Sequence, residues 1–168
     1  PQKQVILVEE LISKKAADHF LEITGGMLTR YNNKGELEYE VFEASEALAD
    51  GEVLSLEEKF LAGQGQNITP ARYARSASDR QKVSEQVKTA LGGAAKALGV
   101  AGYCRIDAFV RVYADCRAEI IFIEVNSLPG MTPATCIFHQ AAINHYKPYE
   151  FIDRILDFGL KRANLIVQ

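Results

Sequence analysis

Two residue pairs in this chain have the types and spacing for chemistry, Arg105-x-Asp107 and Glu124-x-Asn126. Each pair lies in an apolar, β-rich run, and a short polar turn joins the two runs. Strand side chains repeat with a period of two, so Arg105 and Asp107 share one face of the first strand, and Glu124 and Asn126 share one face of the second. If the strands pair as a hairpin, an Asp, a Glu and an Asn oxygen converge beside a guanidinium. Hard oxygen donors on a rigid sheet suit Mg²⁺ held against the phosphates of a nucleotide. An Arg-x-Asp standing alone is an ordinary surface ion pair. Glu124 is harder to set aside, because it sits inside the apolar run IIFIEVN. A carboxylate there requires a cation, a strong donor or exposure at a cleft, since burial without one disfavours its charged form.

The elements that must position these residues belong to a chain of 168 residues, enough for one domain with a substantial core. The first residue is Pro, with no initiator Met, as expected of a piece of a longer protein. A net charge of -3 gives no support to nucleic acid or an anionic membrane as partner, but it permits a local basic site for a phosphorylated small molecule. No signal-like stretch or long apolar run appears, so the expected location is the cytoplasm. The three cysteines have no CxxC spacing and read as reduced thiols.

In chain order, QVILVEEL at 4–11 reads as a strand, with Glu9 and Glu10 either a solvated strand end or part of a site. HFLEITGGML is a second strand in which Gly25 and Gly26 predict a bulge or turn. Asn32-Asn33-Lys34-Gly35 is a turn signal before the alternating strand ELEYEVF. EASEALADG at 43–51 predicts a short helix, and the segment 44–70 as a whole reads as a long ligand-covering loop. Within it Lys59 is either a surface lysine or a phosphate-contacting cation. Ser78 with Gln81 predicts a capping box for a helix ending at Gly99. Its GGAAKAL lacks the order of a phosphate-binding loop. After the hairpin, Pro129-Gly130 turns the chain into a helix over 134–145, where Thr132 and Thr135 are either caps or hydroxyls offered to a ligand. An amphipathic helix over 149–161 closes the chain. His19, His139 and His145 show no ligand spacing.

GYCRIDAFV at 102–110 followed by IIFIEVNSLPGMTPAT at 120–135 resembles the carboxy-terminal ATP-grasp signature of D-alanine–D-alanine ligases. The shared pattern is an Arg-x-Asp strand, a Glu-x-Asn strand and a Pro-Gly-Met-Thr turn in that order. The resemblance implies an α+β fold, the C-terminal ATP-grasp lobe, with a largely antiparallel sheet and packed helices. Residues 1–168 would then be the C-terminal part of an ATP-grasp domain, lacking the N-terminal substrate domain and the central lobe. Its expected cofactors are ATP and two Mg²⁺ ions, with Mn²⁺ an admissible substitute, and its partners are D-alanine or a similar substrate and the missing lobes. A homodimer of the full-length enzyme is compatible with it.

By position, Asp107, Glu124 and Asn126 would hold the metal ions. Arg105 would stabilise the transferred phosphoryl group, and Gly130 would present a backbone donor beside it. Thr135 and Cys136 would meet the second substrate, Thr135 keeping the hydroxyl of the family's usual Ser. Lys59 resembles the loop lysine that reaches the phosphates. Glu9 matches the carboxylate of the adenine-binding hinge, with Leu11 and Ile12 lining the base. KKAADHF stands where the family has Gly-x-Glu-Phe, which leaves Asp18 as the match for the ribose-binding acid. Phe60 replaces a Tyr, a change associated with ligases that accept D-lactate. The implied activity is ATP-dependent ligation of two D-alanines through an acyl phosphate for peptidoglycan precursors. The alternatives are another ATP-grasp amino-acid or D-alanine–D-lactate ligase, and a non-catalytic ATP-grasp-like binding module.

Overall fold

A 13-residue strand, β1 (His19–Tyr31), runs through the middle of a six-stranded sheet and carries partners along both edges. The computed structural model describes residues 6–48, 67–132 and 135–166. On one edge β1 pairs with β2 (Leu37–Val41) and, further along, with β3 (Ser45–Ala47), which pairs in turn with β4 (Asn67–Ile68). On the other edge it pairs with β5 (Tyr103–Val112), which pairs with β6 (Ala118–Asn126). Every pairing among the described residues is antiparallel, in keeping with the expected α+β class. The β1–β2 turn forms as its sequence predicts: the Asn32 side-chain oxygen accepts from the Lys34 and Glu36 amides, and Gly35 takes φ +78°.

Among the described residues, three helices cover this sheet. Helix α1 (Ala77–Ala97) buries Val83, Val87, Leu91 and Ala95 against Ile23, Met27, Ile106, Ala108 and Val110. Burying each such Val, Leu, Ile or Met side chain contributes about 1.5–3 kcal/mol. Helices α2 (Cys136–Ile143) and α3 (Pro148–Ile166) build a second core from Ile137, Ala141 and Phe151 on Leu28 and Phe42. Adjacent strand residues point to opposite faces, and Gly25 and Gly26 show which helix lies where. A Cβ on Gly25 would run into Leu91 of α1, and one on Gly26 into Gln140 and Ile137 of α2. The two glycines therefore mark where helices press on both faces of a continuous strand, and the bulge or turn expected there does not occur.

Three other expectations are corrected. Residues 6–11 are not in a strand: they find no ladder partner among the described residues, and Ile6, Leu7, Val8 and Leu11 are exposed. The short helix expected at 43–51 is replaced, over the described part, by β3, whose backbone groups pair with both β1 and β4. Residues 49–66, with Lys59 and Phe60, lie outside the described residues. Helix α1 is capped by Ser76 and not Ser78, because Ser76 and Asp79 form their own reciprocal pair: the Asp79 amide donates to Ser76 Oγ at 3.1 Å, and Ser76 Oγ donates to Asp79 Oδ2 at 2.7 Å.

Candidate active site

The hairpin of β5 and β6 pairs Arg105 with Asn126 and Asp107 with Glu124, two rungs separated by Ile106–Val125, which puts the four residues expected to converge on one face. In β1, Thr24 stands opposite Asp107 and Gly26 opposite Arg105, so these polar residues share the sheet face on which α2 packs. Asp107 is the hub. It accepts from Thr24 Oγ1 at 2.6 Å, from Arg105 Nε and Nη2 at 3.0 Å each, and from Asn126 Nδ2 at 3.4 Å. The same Asn126 nitrogen donates to Glu124 Oε1 at 3.0 Å. Two carboxylates directly opposite each other repel, and here Arg105 and Asn126 offset that repulsion. Of the three conditions that could accommodate Glu124 in its apolar run, two hold: its side chain is exposed and it accepts from a donor.

A β-bulge sets this geometry. Asp107 pairs with Glu124, but Ala108 pairs with Phe122, so Ile123 is an extra residue in β6. Beyond it Ile120 packs toward the α1 core, and Ile121 stands opposite Phe109. Glu119 and Glu124, an odd number of residues apart, thereby share the open face. Between Asp107 and Arg111 on that face, Phe109 stacks on Phe20 of β1 with ring centroids 5.3 Å apart. Glu22 stands opposite Phe109, on the face of Thr24. Sequence reasoning missed Phe20, Glu22, Thr24 and Phe109. Their signal was parity: Phe109 follows Arg105 and Asp107 on the polar face of β5, and Glu22 precedes Thr24 by the same step.

The remaining expected residues are placed as follows. Gly130 lies beside Thr135, whose methyl carbon would be 3.7 Å from a Cβ there. Thr135 is the N-cap residue of α2, but its hydroxyl donates to the Thr132 carbonyl at 2.8 Å and not to a helix amide. Cys136 opens α2 within electrostatic reach of Arg105, and burial, opposed by that guanidinium, pushes its thiol pKa up. Glu9 and Leu11 are exposed and Ile12 half-buried, in the segment leading to Ser13. The Ser13 carbonyl accepts from Arg111 Nε at 2.7 Å, which ties this segment to the same face, beyond the Phe pair. Asp18 is exposed beside the end of β5, its amide bonded to the Val112 carbonyl at 2.9 Å. Lys59 lies outside the described residues.

A two-carboxylate, one-amide set of oxygens suits a hard cation such as Mg²⁺, which retains several waters and takes one or two protein carboxylates. Among the described residues no group of three His, Cys, Asp or Glu side chains offers a competing metal site. No described helix is long and apolar enough to cross a membrane.

The family model described as "D-ala D-ala ligase C-terminus" matches residues 2–157. A D-alanine–D-alanine ligase of Leptospira interrogans is 30% identical over 165 residues, spanning 96% of this chain and 44% of its own length. One from Carboxydothermus hydrogenoformans is 31% identical over 157 residues, 93% of this chain and 43% of its own. The chain thus spans less than half the length of these relatives. Among solved structures, the D-alanine–D-alanine ligase of Bacillus anthracis complexed with ATP superposes with a TM-score of 0.56 at 18% identity, over 86% of this chain and 38% of that one. That likeness is one of fold, and it agrees with the expected ATP-grasp lobe. By the family match over nearly its whole length, this chain belongs to the D-alanine–D-alanine ligase C-terminal family.

Proposed function

We propose that the protein carrying this chain is an ATP-dependent carboxylate–amine ligase that joins two D-alanines for peptidoglycan precursors, in the cytoplasm. The observation that carries this reading is the grouping of Asp107, Glu124 and Asn126 with Arg105 on one open face of the sheet, in a chain of this family. The chain would supply the C-terminal lobe of an ATP-grasp domain, with the central lobe and the substrate domain supplied elsewhere in the same polypeptide. A homodimer of the full-length enzyme is compatible with this reading.

Asp107, Glu124 and Asn126 would hold two Mg²⁺ ions, which when bound neutralise charge on the nucleotide phosphates. Arg105, now turned onto Asp107, would face the transferred phosphoryl oxygens and, with the Gly130 amide, the oxyanion formed when the second amine attacks the acyl phosphate. Thr135 and Cys136 would orient the second substrate. The nucleotide would run along the sheet face away from the carboxylates. The Phe20–Phe109 stack would lie beneath it, and Glu9, Leu11 and Ile12 beside the base. The ribose-binding acid is better assigned to Glu22 than to Asp18: Glu22-Ile23 keeps the Glu-apolar order of the family pattern and stands two residues from Thr24 on the site face. Lys59 is retained as the phosphate-contacting lysine on its sequence match.

The test is ATP-dependent phosphate release by the full-length protein, with D-alanine alone and with D-alanine plus D-lactate, for wild type and Glu124→Gln. Release that requires D-alanine and falls on the order of 100-fold or more in the variant supports the ligase and its metal site. Faster release on adding D-lactate, with a depsipeptide product, assigns the second substrate that Phe60 suggests. No release with any amino-acid pair sinks the reading in favour of a non-catalytic binding module.

A further inference from the structure

Arg111 is a buried guanidinium that the chemistry above does not use. It lies on the site face of β5, four residues beyond Asp107 and opposite Phe20 and Glu119 in the flanking strands. Four strand residues span about 13 Å, so it stands well away from the metal carboxylates. The residue is 3% exposed. Its Nε donates to the Ser13 carbonyl at 2.7 Å, and its Nη1 donates to Glu119 Oε1 at 3.1 Å. Glu119 is held in turn by the Tyr113 hydroxyl at 2.8 Å. Nη2 is buried and has no hydrogen-bond partner among the described residues. A buried charge in this state is costly unless something needs it there.

Among the described residues, little else fixes the segment it holds. Residues 6–13 form no ladder with the sheet among the described residues, and Ile6, Leu7, Val8 and Leu11 are 77–87% exposed. The Glu10–Lys15 ion pair at 2.8 Å is exposed and contributes little. Between residues 6–13 and the sheet, the Arg111–Ser13 bond is the one hydrogen bond among the described residues. Arg111 brings a fixed, planar fork that can bond a main-chain carbonyl and a carboxylate together, and among the described residues its Nη2 donor is unused.

We infer that Arg111 is a positioning residue that clamps segment 6–13 onto the sheet, so that its backbone reads the base edge of the bound nucleotide. This rests on the ATP-dependent reading above and names the residue that fixes base selectivity at that site. Lysine in its place keeps the charge but cannot make both bonds in this geometry. The substitution Glu119→Gln removes the counter-charge and leaves the Ser13 clamp intact.

The experiment measures equilibrium binding of MgATP and MgGTP to the full-length protein by calorimetry without amino acid, for wild type, Arg111→Gln, Arg111→Lys and Glu119→Gln. The expected result is that R111Q weakens MgATP about tenfold and brings the ATP-to-GTP affinity ratio close to one. R111K falls between wild type and R111Q, and E119Q stays within threefold of wild type. Unchanged MgATP affinity in R111Q, or equal weakening of both nucleotides, overturns the inference. If R111Q does not fold, R111K decides alone, and wild-type selectivity in R111K overturns it. A wild type that binds MgATP no better than MgGTP also overturns it. A wild type that binds and discriminates nucleotides but releases no phosphate with D-alanine sinks the ligase reading and leaves this one standing.

Discussion

At the scale of single residues, the site is a problem in like-charge repulsion. Asp107 and Glu124 face each other across a strand pair, and Thr24, Arg105 and Asn126 supply the donors that hold them. Thr24→Val removes the 2.6 Å bond that orients Asp107 while keeping the side chain's shape. It should lower Mg²⁺ affinity about 10-fold, read as a rise in the Mg²⁺ concentration giving half-maximal phosphate release. A fall in kcat with unchanged Mg²⁺ dependence would count against that role. Glu46 is a different case. Burial raises its carboxyl pKa, but the hydrogen bonds and charge of Arg72 outweigh burial and hold it below the usual carboxylate value. A group depressed in the folded state stabilises above its unfolded pKa, and that stabilisation is lost as pH falls through the folded value. Glu46→Gln should therefore lower stability at pH 7 and flatten the loss of thermal stability below about pH 4. An acid limb parallel to wild type would refute it.

At the scale of elements, the decisive contact is between α2 and the centre of β1. Gln140, fully buried, accepts from the Gly26 amide at 2.8 Å and donates to the Thr24 carbonyl at 2.8 Å and to Ser45 Oγ at 2.9 Å. It satisfies backbone groups of β1 where β3 ends and β2 has yet to begin, and it fixes the strand that presents Thr24 to Asp107. Gln140→Leu keeps the volume and orphans those groups, so thermal unfolding should show a loss of about 3 kcal/mol. A loss below about 1 kcal/mol would mean that water or a shifted β3 replaces the amide. The hairpin and its Arg-x-Asp and Glu-x-Asn pairs were legible in the sequence because β5 alternates locally, each pair spans only two residues, and a short turn joins the two strands. The Gly25-Gly26 pair was not. Local rules read two glycines as a bend, whereas residues far along the chain, Leu91 and Gln140, press on each face. The Ile123 bulge was hidden for a related reason: a period-two reading of IIFIEVN cannot tell which residue the partner strand skips.

At the scale of the molecule, part of the exposed apolar surface lies on the elements that flank the site, and the rest lies on the helices. Ile6, Leu7, Val8, Phe122, Ile123 and Leu128 are all exposed, on the segment leading to Ser13, on β6 around its bulge, and just past Asn126. Removing such surface from water contributes about 25 cal/mol per Å², and folded monomers rarely leave large contiguous patches of it open. The proposed occupants are the central lobe and substrate domain of the same polypeptide, since this chain covers 44% of a relative such as the Leptospira enzyme. On that reading the 168-residue chain produced alone should bind a hydrophobic dye strongly, self-associate in light scattering and release no phosphate from ATP with D-alanine. Covering these side chains in the full-length protein should weaken the dye signal and restore turnover. A monodisperse isolated chain with turnover equal to the full-length protein would place the whole reaction on this one lobe and refute the shared site.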